Sequence, residues 1–197
     1  GIIVWPMTKF ESDDALATGA LRFQNTPGVK QIVLCSPDKD LAQCVTGTKV
    51  VCLDRRKNLI LDEKGVLKKF GVFPDSIPDW LALVGDVADG IPGVPRWGAI
   101  SSSTILSRYR HLDEIPTDNS TWDVEVRGAH SLAKHLNTHR QKALLYRTLA
   151  TLRTDVPLKE NLENLRWRGI NWNQLECLAK KTGAPRLLTE AARLVHP

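Results

Sequence analysis

Residues 29–61 have the sequence VKQIVLCSPDKDLAQCVTGTKVVCLDRRKNLIL. The run Val29–Cys35 is rich in β-branched residues and predicts a buried strand, and Lys49–Leu53 predicts a second one. Lys39–Val45 between them predicts a short helix. This alternation predicts an α/β fold on a parallel sheet, because parallel strands are joined by helical crossovers.

A charged turn, Asp54–Asn58, follows the second strand and leads to a third short strand, Leu59–Leu61. The rest of the chain shows apolar residues at helical spacing. The predicted helical segments are Asp13–Phe23, Glu63–Phe70, Ile77–Val84, Gly98–Tyr109, Val126–Leu152 (as two helices) and Trp172–Leu194.

The composition describes an ordinary globular chain. It has 197 residues, a net charge of +5, 42% hydrophobic and 25% charged residues, which excludes collagen, a coiled coil and a wholly disordered chain. No apolar run approaches the ~18 residues of a membrane span, and no signal-peptide pattern is present. The four cysteines form no C-x2-C pair, which argues against zinc, so we expect reduced cysteines and a cytoplasmic location.

Seven acidic residues occur in three short clusters. Two of the clusters also fit helix starts, where acids complement the helix dipole. The third follows the apolar helix Ile77–Val84, where carboxylates oppose that dipole, so helix capping does not explain it. The clusters are Glu11, Asp13 and Asp14; Asp38 and Asp40; and Asp86 and Asp89.

If the three clusters converge, their chemistry points to a metal site. Two carboxylates ~4 Å apart repel by ~4 kcal/mol at an effective dielectric constant near 20, so a cation is needed between them. Oxygen ligands without Cys or His favour Mg²⁺ or Mn²⁺. Such ions are suited to in-line displacement at phosphorus. The residues alone therefore predict a metal-dependent phosphodiesterase.

A Gly- and Pro-rich segment, Ile91–Gly98, follows the third cluster and precedes a predicted helix. Its spacing predicts a tight hairpin between two helices. Such a hairpin can offer backbone N–H groups to a phosphate without recognising bases. A connection made for packing alone fits the pattern equally well.

Four motifs in this order closely resemble the bacterial 5′-nuclease family, which comprises the 5′→3′ exonuclease domain of DNA polymerase I and stand-alone flap endonucleases. The resemblance covers nearly the whole chain. The motifs are Phe10-Glu-Ser-Asp-Asp14, Ser36-Pro-Asp-Lys-Asp-Leu-Ala-Gln43, Gly85-Asp-Val-Ala-Asp-Gly-Ile-Pro-Gly-Val-Pro95 and Leu149-Ala-Thr-Leu-Arg-Thr-Asp-Val-Pro157.

The resemblance implies a Rossmann-like (PIN-like) parallel sheet flanked by helices, with a helix–three-turn–helix module that binds DNA. Residues 1–84 would form the remainder of the nuclease core. Residues 85–197 would form a helical region that contains the DNA-binding element, 85–110, and C-terminal helices packed on the core. The implied reaction is hydrolysis of DNA near a 5′ end, flap or nick, leaving a 5′-phosphate and a 3′-hydroxyl.

The resemblance also implies a role for each matching residue. Glu11 and Asp13 would bind a first metal ion, with Asp14 as a neighbouring site acid. A second ion would be bound by Asp38, Asp40 and Asp89, with Asp86 acting through water. The implied contacts to the DNA backbone, with a K⁺ ion at the hairpin, are Gly93, Val94, Arg96, Gly98, Ser101 and Ser102.

The chain departs from the family pattern in two ways. Arg96 replaces a hairpin glycine, at a position where a positive φ would be strained, and Ile100 stands where a lysine is expected. The family's amino-terminal third, with two further metal-site acids, has no counterpart in the chain. We therefore expect one metal ion to bind better than two, and weak cleavage unless that segment, or a second copy, is supplied.

Two other functions remain open at this stage. One is a DNA-binding member of the same family without turnover. The other is a metal enzyme that acts on a small phosphate ester, which the hairpin and the basic excess disfavour. The candidate contacts to phosphate, of which we expect fewer than half to be used, are Arg55, Arg56, Lys57, Arg96, Arg108, Arg110, Lys134, Arg140, Lys142, Arg147 and Arg153.

Overall fold

The computed structural model describes residues 2–195, with only the backbone described for 194 and 195. The regions 1–84 and 85–197 predicted from the sequence also include residues 1, 196 and 197, which lie outside the described part. The chain divides into two compact units. The larger comprises Met7–Pro157 and contains both the sheet and the predicted hairpin. The smaller combines residues 2–6 with residues 158–195.

The sheet of the larger unit has three strands in the order β1–β2–β3. Strand β1 (Ile32–Leu34) pairs in parallel with β2 (Val50–Asp54), and β3 (Leu59–Leu61) pairs antiparallel with β2. The parallel sheet predicted from the sequence is therefore correct for the first pair only, and the sheet is mixed. The physical reason is the length of the β2–β3 connection, because a four-residue turn cannot make the long crossover that parallel strands need.

The predicted helices are present with some changes in extent. The segment after β1 forms a 3₁₀ helix, Asp40–Cys44, and Val126–Leu152 contains one long helix instead of two, because no Gly or Pro interrupts residues 129–150. The C-terminal segment breaks at Gly183, which has φ +65°. The α-helices are α1 (Ser12–Phe23), α2 (Glu63–Phe70), α3 (Ile77–Val84), α4 (Ala99–Tyr109), α5 (Ala129–Ala150), α6 (Leu162–Leu165), α7 (Trp172–Thr182) and α8 (Arg186–Val195).

Helix α3 lies at the centre of the larger unit, in contact with α4, α5 and the 3₁₀ helix. Its residues Ile77, Leu81 and Leu83 are almost fully buried. Burial of a large apolar side chain stabilises the fold by about 1.5–3 kcal/mol, so this helix is a main source of stability. Its carboxyl end leads directly to Asp86, so the third acidic cluster is held by the core.

Asp79 of α3 is 2% exposed and is satisfied by three donors. It accepts hydrogen bonds from the Leu112 N–H at 3.0 Å, from His111 Nδ1 at 2.9 Å and from Arg147 Nη1 at 3.4 Å. These bonds connect α3 to the start of the Leu112–Glu114 turn and to α5. A buried carboxylate with such partners fastens helices together, and we assign it no role in the site.

No helix among residues 2–195 is long and apolar enough to cross a membrane. The division predicted at residues 84 and 85 stays a prediction.

Candidate metal and nucleic-acid site

The three acidic clusters converge in the larger unit. A cleft of about 620 Å³ is lined by six of the seven carboxylates, together with Lys9 and Arg153. The seventh, Asp86, lies in a group with Asp40 and Asp89 in which one carboxylate oxygen from each residue is within 4.8 Å of the others. The six lining acids are Glu11, Asp13, Asp14, Asp38, Asp40 and Asp89.

Local backbone structure holds the second cluster at the end of β1. The Asp38 N–H donates to the Ser36 hydroxyl at 3.2 Å, and the Asp40 N–H donates to Asp38 Oδ1 at 3.0 Å. Asp40 is the first residue of the 3₁₀ helix, whose Leu41 is fully buried. The buried leucine therefore anchors the helix that positions the Asp40 carboxylate.

A tight turn holds the third cluster. Asp86 and Ile91 exchange two backbone hydrogen bonds of 2.7 and 2.8 Å, and the Ala88 N–H donates to Asp86 Oδ1 at 3.1 Å. Asp89 lies in this turn and is exposed. Gly85 has φ +88° and Gly93 has φ +76°, so glycine permits the chain to enter and leave the turn.

The carboxylates perturb one another's ionisation. Burial, and next the charge of Asp38, raise the pKa of Asp40 to about 7. Burial, and next the same Asp38 charge, also raise the pKa of Asp13. Burial and the Asp86 carboxylate raise the pKa of Asp89. The unfavourable charge that these shifts report is what a bound cation would relieve.

Asp86 behaves differently because Lys39 contacts it. The Lys39 ammonium contacts Asp86 Oδ2. Burial raises the pKa of Asp86, but this contact, together with hydrogen bonds from Asp89 and the Ala88 N–H, outweighs burial and lowers the pKa. Burial lowers the pKa of Lys39, but the bond to Asp86 and the charges of Asp86, Asp40 and Asp38 together outweigh that effect and raise the pKa. One ammonium thus pairs directly with one carboxylate of the group, whereas Asp40 and Asp89 form no ion pair of their own among the described residues.

The donor set fits a hard divalent cation. Asp40 is 9% exposed, and its buried Oδ1 has no hydrogen-bond partner among the described residues. A buried acceptor without a donor costs about 1–3 kcal/mol. Oxygen ligands from three carboxylates suit Mg²⁺ or Mn²⁺ better than softer metals.

In the first cluster, Asp14 has a structural role, whereas Glu11 and Asp13 face the cleft. Both oxygens of Asp14 accept backbone hydrogen bonds, from Glu11 N–H at 3.0 Å and from Arg153 N–H at 2.8 Å. Asp14 therefore caps α1 and fastens it to the segment after α5. Glu11 is exposed and Asp13 half-buried, and both line the cleft.

The hairpin packs through some of the residues expected to bind DNA. Val94 is buried and its N–H donates to the Leu83 carbonyl at 2.8 Å. Ser102 is fully buried, on the face of α4 that packs inward. The side chains of Val94 and Ser102 are therefore turned away from solvent, and the contacts of these two residues with DNA stay a prediction. Trp97 is also buried, with its Nε1–H donating to the Leu132 carbonyl at 3.1 Å.

Of the remaining hairpin residues, Arg96, Gly98 and Ser101 line a groove of about 770 Å³ at the starts of α4 and α5, and Gly93 does not line it. Gly98 caps α4, and its N–H donates to the Ser101 hydroxyl at 3.1 Å. Arg96 is exposed with φ +73°, the strained conformation expected for a non-glycine residue here. Arg127 also lines the groove and was absent from the sequence-based set.

The structure separates the candidate basic residues into two groups. Arg140 donates to the carbonyls of Leu112 and Ile115, and four other arginines form ion pairs with carboxylates. Those pairs are Arg108 with Asp123, Arg110 with Asp75, Arg147 with Asp79 and Asp113, and Arg153 with Asp155. The candidates that form no such contact with the described residues, apart from a 3.9 Å approach of Lys57 to Asp54, are Arg55, Arg56, Lys57, Arg96, Lys134 and Lys142.

Sequence reasoning also missed Gln43. Its amide donates to the carbonyls of Asp40 at 2.9 Å and Ala150 at 3.0 Å, and its oxygen accepts from the Leu152 N–H at 2.9 Å. Gln43 thus connects the Asp40 backbone to the end of α5. Its presence in the motif that contains Asp38 and Asp40 was the available signal.

The site therefore belongs to the class of carboxylate-lined clefts in α/β units that can hold a divalent metal ion. Two family descriptions match the chain: the 5′-3′ exonuclease N-terminal resolvase-like domain over residues 1–71 and the 5′-3′ exonuclease C-terminal SAM fold over residues 72–173. The chain belongs to the 5′-3′ exonuclease family.

Individual relatives agree with this assignment. The chain is 35% identical over 163 residues to DNA polymerase I of Pseudomonas aeruginosa. The aligned region covers 79% of the chain and 17% of that protein. It is 32% identical over 192 residues to the 5′-3′ exonuclease of Buchnera aphidicola subsp. Baizongia pistaciae, covering 89% of the chain and 62% of the relative. The chain thus spans less than two thirds of the relatives' length.

A solved structure supports the fold. The T5 5′-exonuclease with bound zinc superimposes with a TM-score of 0.62 at 18% identity, over 76% of this chain and 53% of that one. At this identity the likeness concerns the fold alone.

Proposed function

We propose that the chain is a structure-specific 5′-nuclease that hydrolyses DNA phosphodiesters near a 5′ end, flap or nick. The observation that carries the proposal is the convergence of six carboxylates from three sequence clusters on one cleft, with the seventh, Asp86, grouped beside Asp40 and Asp89. Water would attack phosphorus opposite the departing 3′ oxygen, and cleavage of that P–O bond would leave a 5′-phosphate and a 3′-hydroxyl.

The cofactor we propose is Mg²⁺ or Mn²⁺. One ion would be held by Asp38, Asp40 and Asp89, with Asp86 in reach, and a second ion would be held more weakly by Glu11 and Asp13. Such ions supply a hydroxide nucleophile at neutral pH and neutralise charge on the leaving oxygen. Lys9, an exposed residue of the cleft, is suited to attract the scissile phosphate. Asp14 would position α1 through its two backbone bonds.

We assign the hairpin to the DNA backbone, through Arg96, Ser101 and the amides at the start of α4. A K⁺ ion there belongs to the same proposal, and a comparison of DNA affinity in K⁺ and Na⁺ tests it. We also propose that full activity requires the family's amino-terminal segment or a second copy of the chain. A cytoplasmic location is supported by the four free cysteines, Cys35, Cys44, Cys52 and Cys177.

The test is cleavage of a 5′-flap and a nicked duplex with Mg²⁺, alone and after adding the family segment. Asp38→Ala and Asp89→Ala should abolish cleavage and leave DNA affinity in EDTA unchanged, whereas Asp118→Ala, far along the chain and exposed, should cleave normally. Cleavage that persists in both site variants would overturn the proposal.

One observation favours a second function, DNA binding without turnover. The Lys39 ammonium already contacts Asp86, so a built-in positive charge occupies part of the acidic group. Salt-dependent DNA binding with no cleavage in Mg²⁺ or Mn²⁺, with or without the added segment, would identify this function.

A further inference from the structure

Three consecutive basic residues lie in the turn between β2 and β3. Arg55, Arg56 and Lys57 are all exposed. Apart from the 3.9 Å approach of Lys57 to Asp54, they form no ion pair with the described residues. The neighbouring carboxylate of Asp54 bonds to the backbone of the turn and not to the basic side chains at close range. Its Oδ1 accepts the N–H groups of Arg56 at 3.0 Å and Lys57 at 3.3 Å.

The position of this basic turn in the sheet is informative. Strands β1 and β2 are parallel, with Leu34 opposite Cys52, so both end at the same edge. Beyond that edge β1 leads to Asp38 and Asp40, and β2 leads to the basic turn. Neighbouring strands are only about 4.8 Å apart, and the carboxyl edge of parallel strands is where α/β proteins place their sites.

Charge at this edge is therefore divided between neighbouring segments. The acids after β1 are directed to the cleft, and the cations after β2 are left to solvent. A polyanion whose phosphate approaches the acidic cleft would bring its adjoining phosphates past the same edge. Exposed cations without acidic partners are suited to neutralise such phosphates.

We propose that Arg55 and Arg56, with Lys57, form a second contact for the phosphodiester backbone of the DNA whose cleavage is proposed above. The contact is independent of base sequence and is separate in the chain from the hairpin. This inference rests on the proposed nuclease function.

The test compares two pairs of exposed cations that form no ion pair within residues 2–193. Arg55→Gln/Arg56→Gln removes charge at the carboxyl edge. The control, Lys64→Gln/Lys68→Gln, removes the same charge from α2, which begins at the opposite edge, where the Glu63 N–H donates to the Gly47 carbonyl at 3.1 Å. Affinity for a fluorescent 5′-flap DNA is measured in EDTA over a series of KCl concentrations.

Replacement of the two arginines should reduce the slope of log binding constant against log KCl concentration by about 2. It should also weaken DNA binding at least about fivefold at low salt. Replacement of the two lysines should change DNA affinity less than about twofold. An unchanged salt dependence in the arginine variant, or an equal effect of the two pairs, would overturn the second contact and leave the nuclease proposal intact. Absence of salt-dependent binding by the unaltered chain would overturn both.

Discussion

The ammonium group of Lys39 contacts Oδ2 of Asp86, a carboxylate that is 5% exposed and belongs to the group formed with Asp40 and Asp89. The two residues are held by different parts of the fold, one beside the 3₁₀ helix and one in the turn after α3. The contact places one positive charge within an acidic group that a divalent cation would also balance. In the metal-free protein Lys39 therefore carries part of the neutralisation.

Replacement of this ammonium should destabilise the metal-free protein. Lys39→Gln leaves the Asp86 carboxylate buried without a positive partner, so we expect a loss of about 1–3 kcal/mol in the free energy of unfolding in EDTA. Added Mg²⁺ should restore more stability to the variant than to the unaltered chain. Urea unfolding with and without Mg²⁺ measures both effects.

The matched control is Lys57→Gln. Lys57 is exposed and only approaches Asp54, at 3.9 Å, so this change should cost less than about 0.5 kcal/mol. Equal stability of the two variants in EDTA would show that the Lys39–Asp86 contact does not stabilise the protein.

Asp40 should make the metal-free protein sensitive to pH. Its folded pKa is raised from the ordinary 3.8 to about 7, so the folded state holds this proton more tightly than the unfolded state. The resulting stabilisation is complete below about pH 4 and is lost as the pH rises through about 7. Asp40→Asn cannot ionise, so its stability relative to the unaltered chain should increase from pH 5 to pH 8 in EDTA.

Urea unfolding at the two pH values measures this difference, with Glu176→Gln as the control. Glu176 is exposed on α7 and outside the acidic group, so its replacement should have the same effect at both pH values. A constant difference between Asp40→Asn and the unaltered chain would contradict the raised pKa.

Local patterns predicted the residues of the site better than the contacts that hold them. The acids of the second cluster follow a strand that its β-branched residues identify, so Asp38 and Asp40 were placed correctly at the strand's end. The Asp14–Arg153 hydrogen bond joins residues 139 apart in the chain. Such a contact depends on how helices pack, which one sequence's periodicity does not encode.

Burial and strand direction show the same limit. The sequence places Ser102 just after the hairpin, but packing of α4 against α3 decides that its side chain is buried. The direction of β3 was available in principle from the length of the turn Arg55–Asn58, since so short a connection requires an antiparallel return.

Gly93 should be intolerant of any side chain. It has φ +76°, and an added Cβ would lie 2.7 Å from the backbone nitrogen of Gly85 and 2.8 Å from the Leu83 carbonyl oxygen. Gly93→Ala therefore forces the hairpin away from the end of α3 and should cost more than about 2 kcal/mol. Gly28→Ala is the control, because Gly28 has φ +87° with nothing within 4 Å of the added Cβ and should lose only about 1 kcal/mol.

Thermal or urea unfolding of the two glycine variants separates steric conflict from backbone strain. If both variants lose the same stability, the close approach of Gly93 to the end of α3 does not matter. Loss of the Val94–Leu83 hydrogen bond in the first variant should also appear as faster amide exchange at Val94.

Arg96 should lower the stability of the protein through its backbone conformation and strengthen DNA binding through its charge. It adopts φ +73°, which costs a non-glycine residue about 1–2 kcal/mol, and its exposed side chain lines the groove at the start of α4. Arg96→Gly should therefore raise the free energy of unfolding by about 1 kcal/mol while weakening DNA binding and lowering the salt slope by about 1. Arg96→Lys keeps both the strain and the charge, so it should change neither quantity appreciably. A glycine variant that gains stability and keeps full DNA affinity would show that Arg96 contacts no phosphate, and one that gains no stability would show that its positive φ carries no strain.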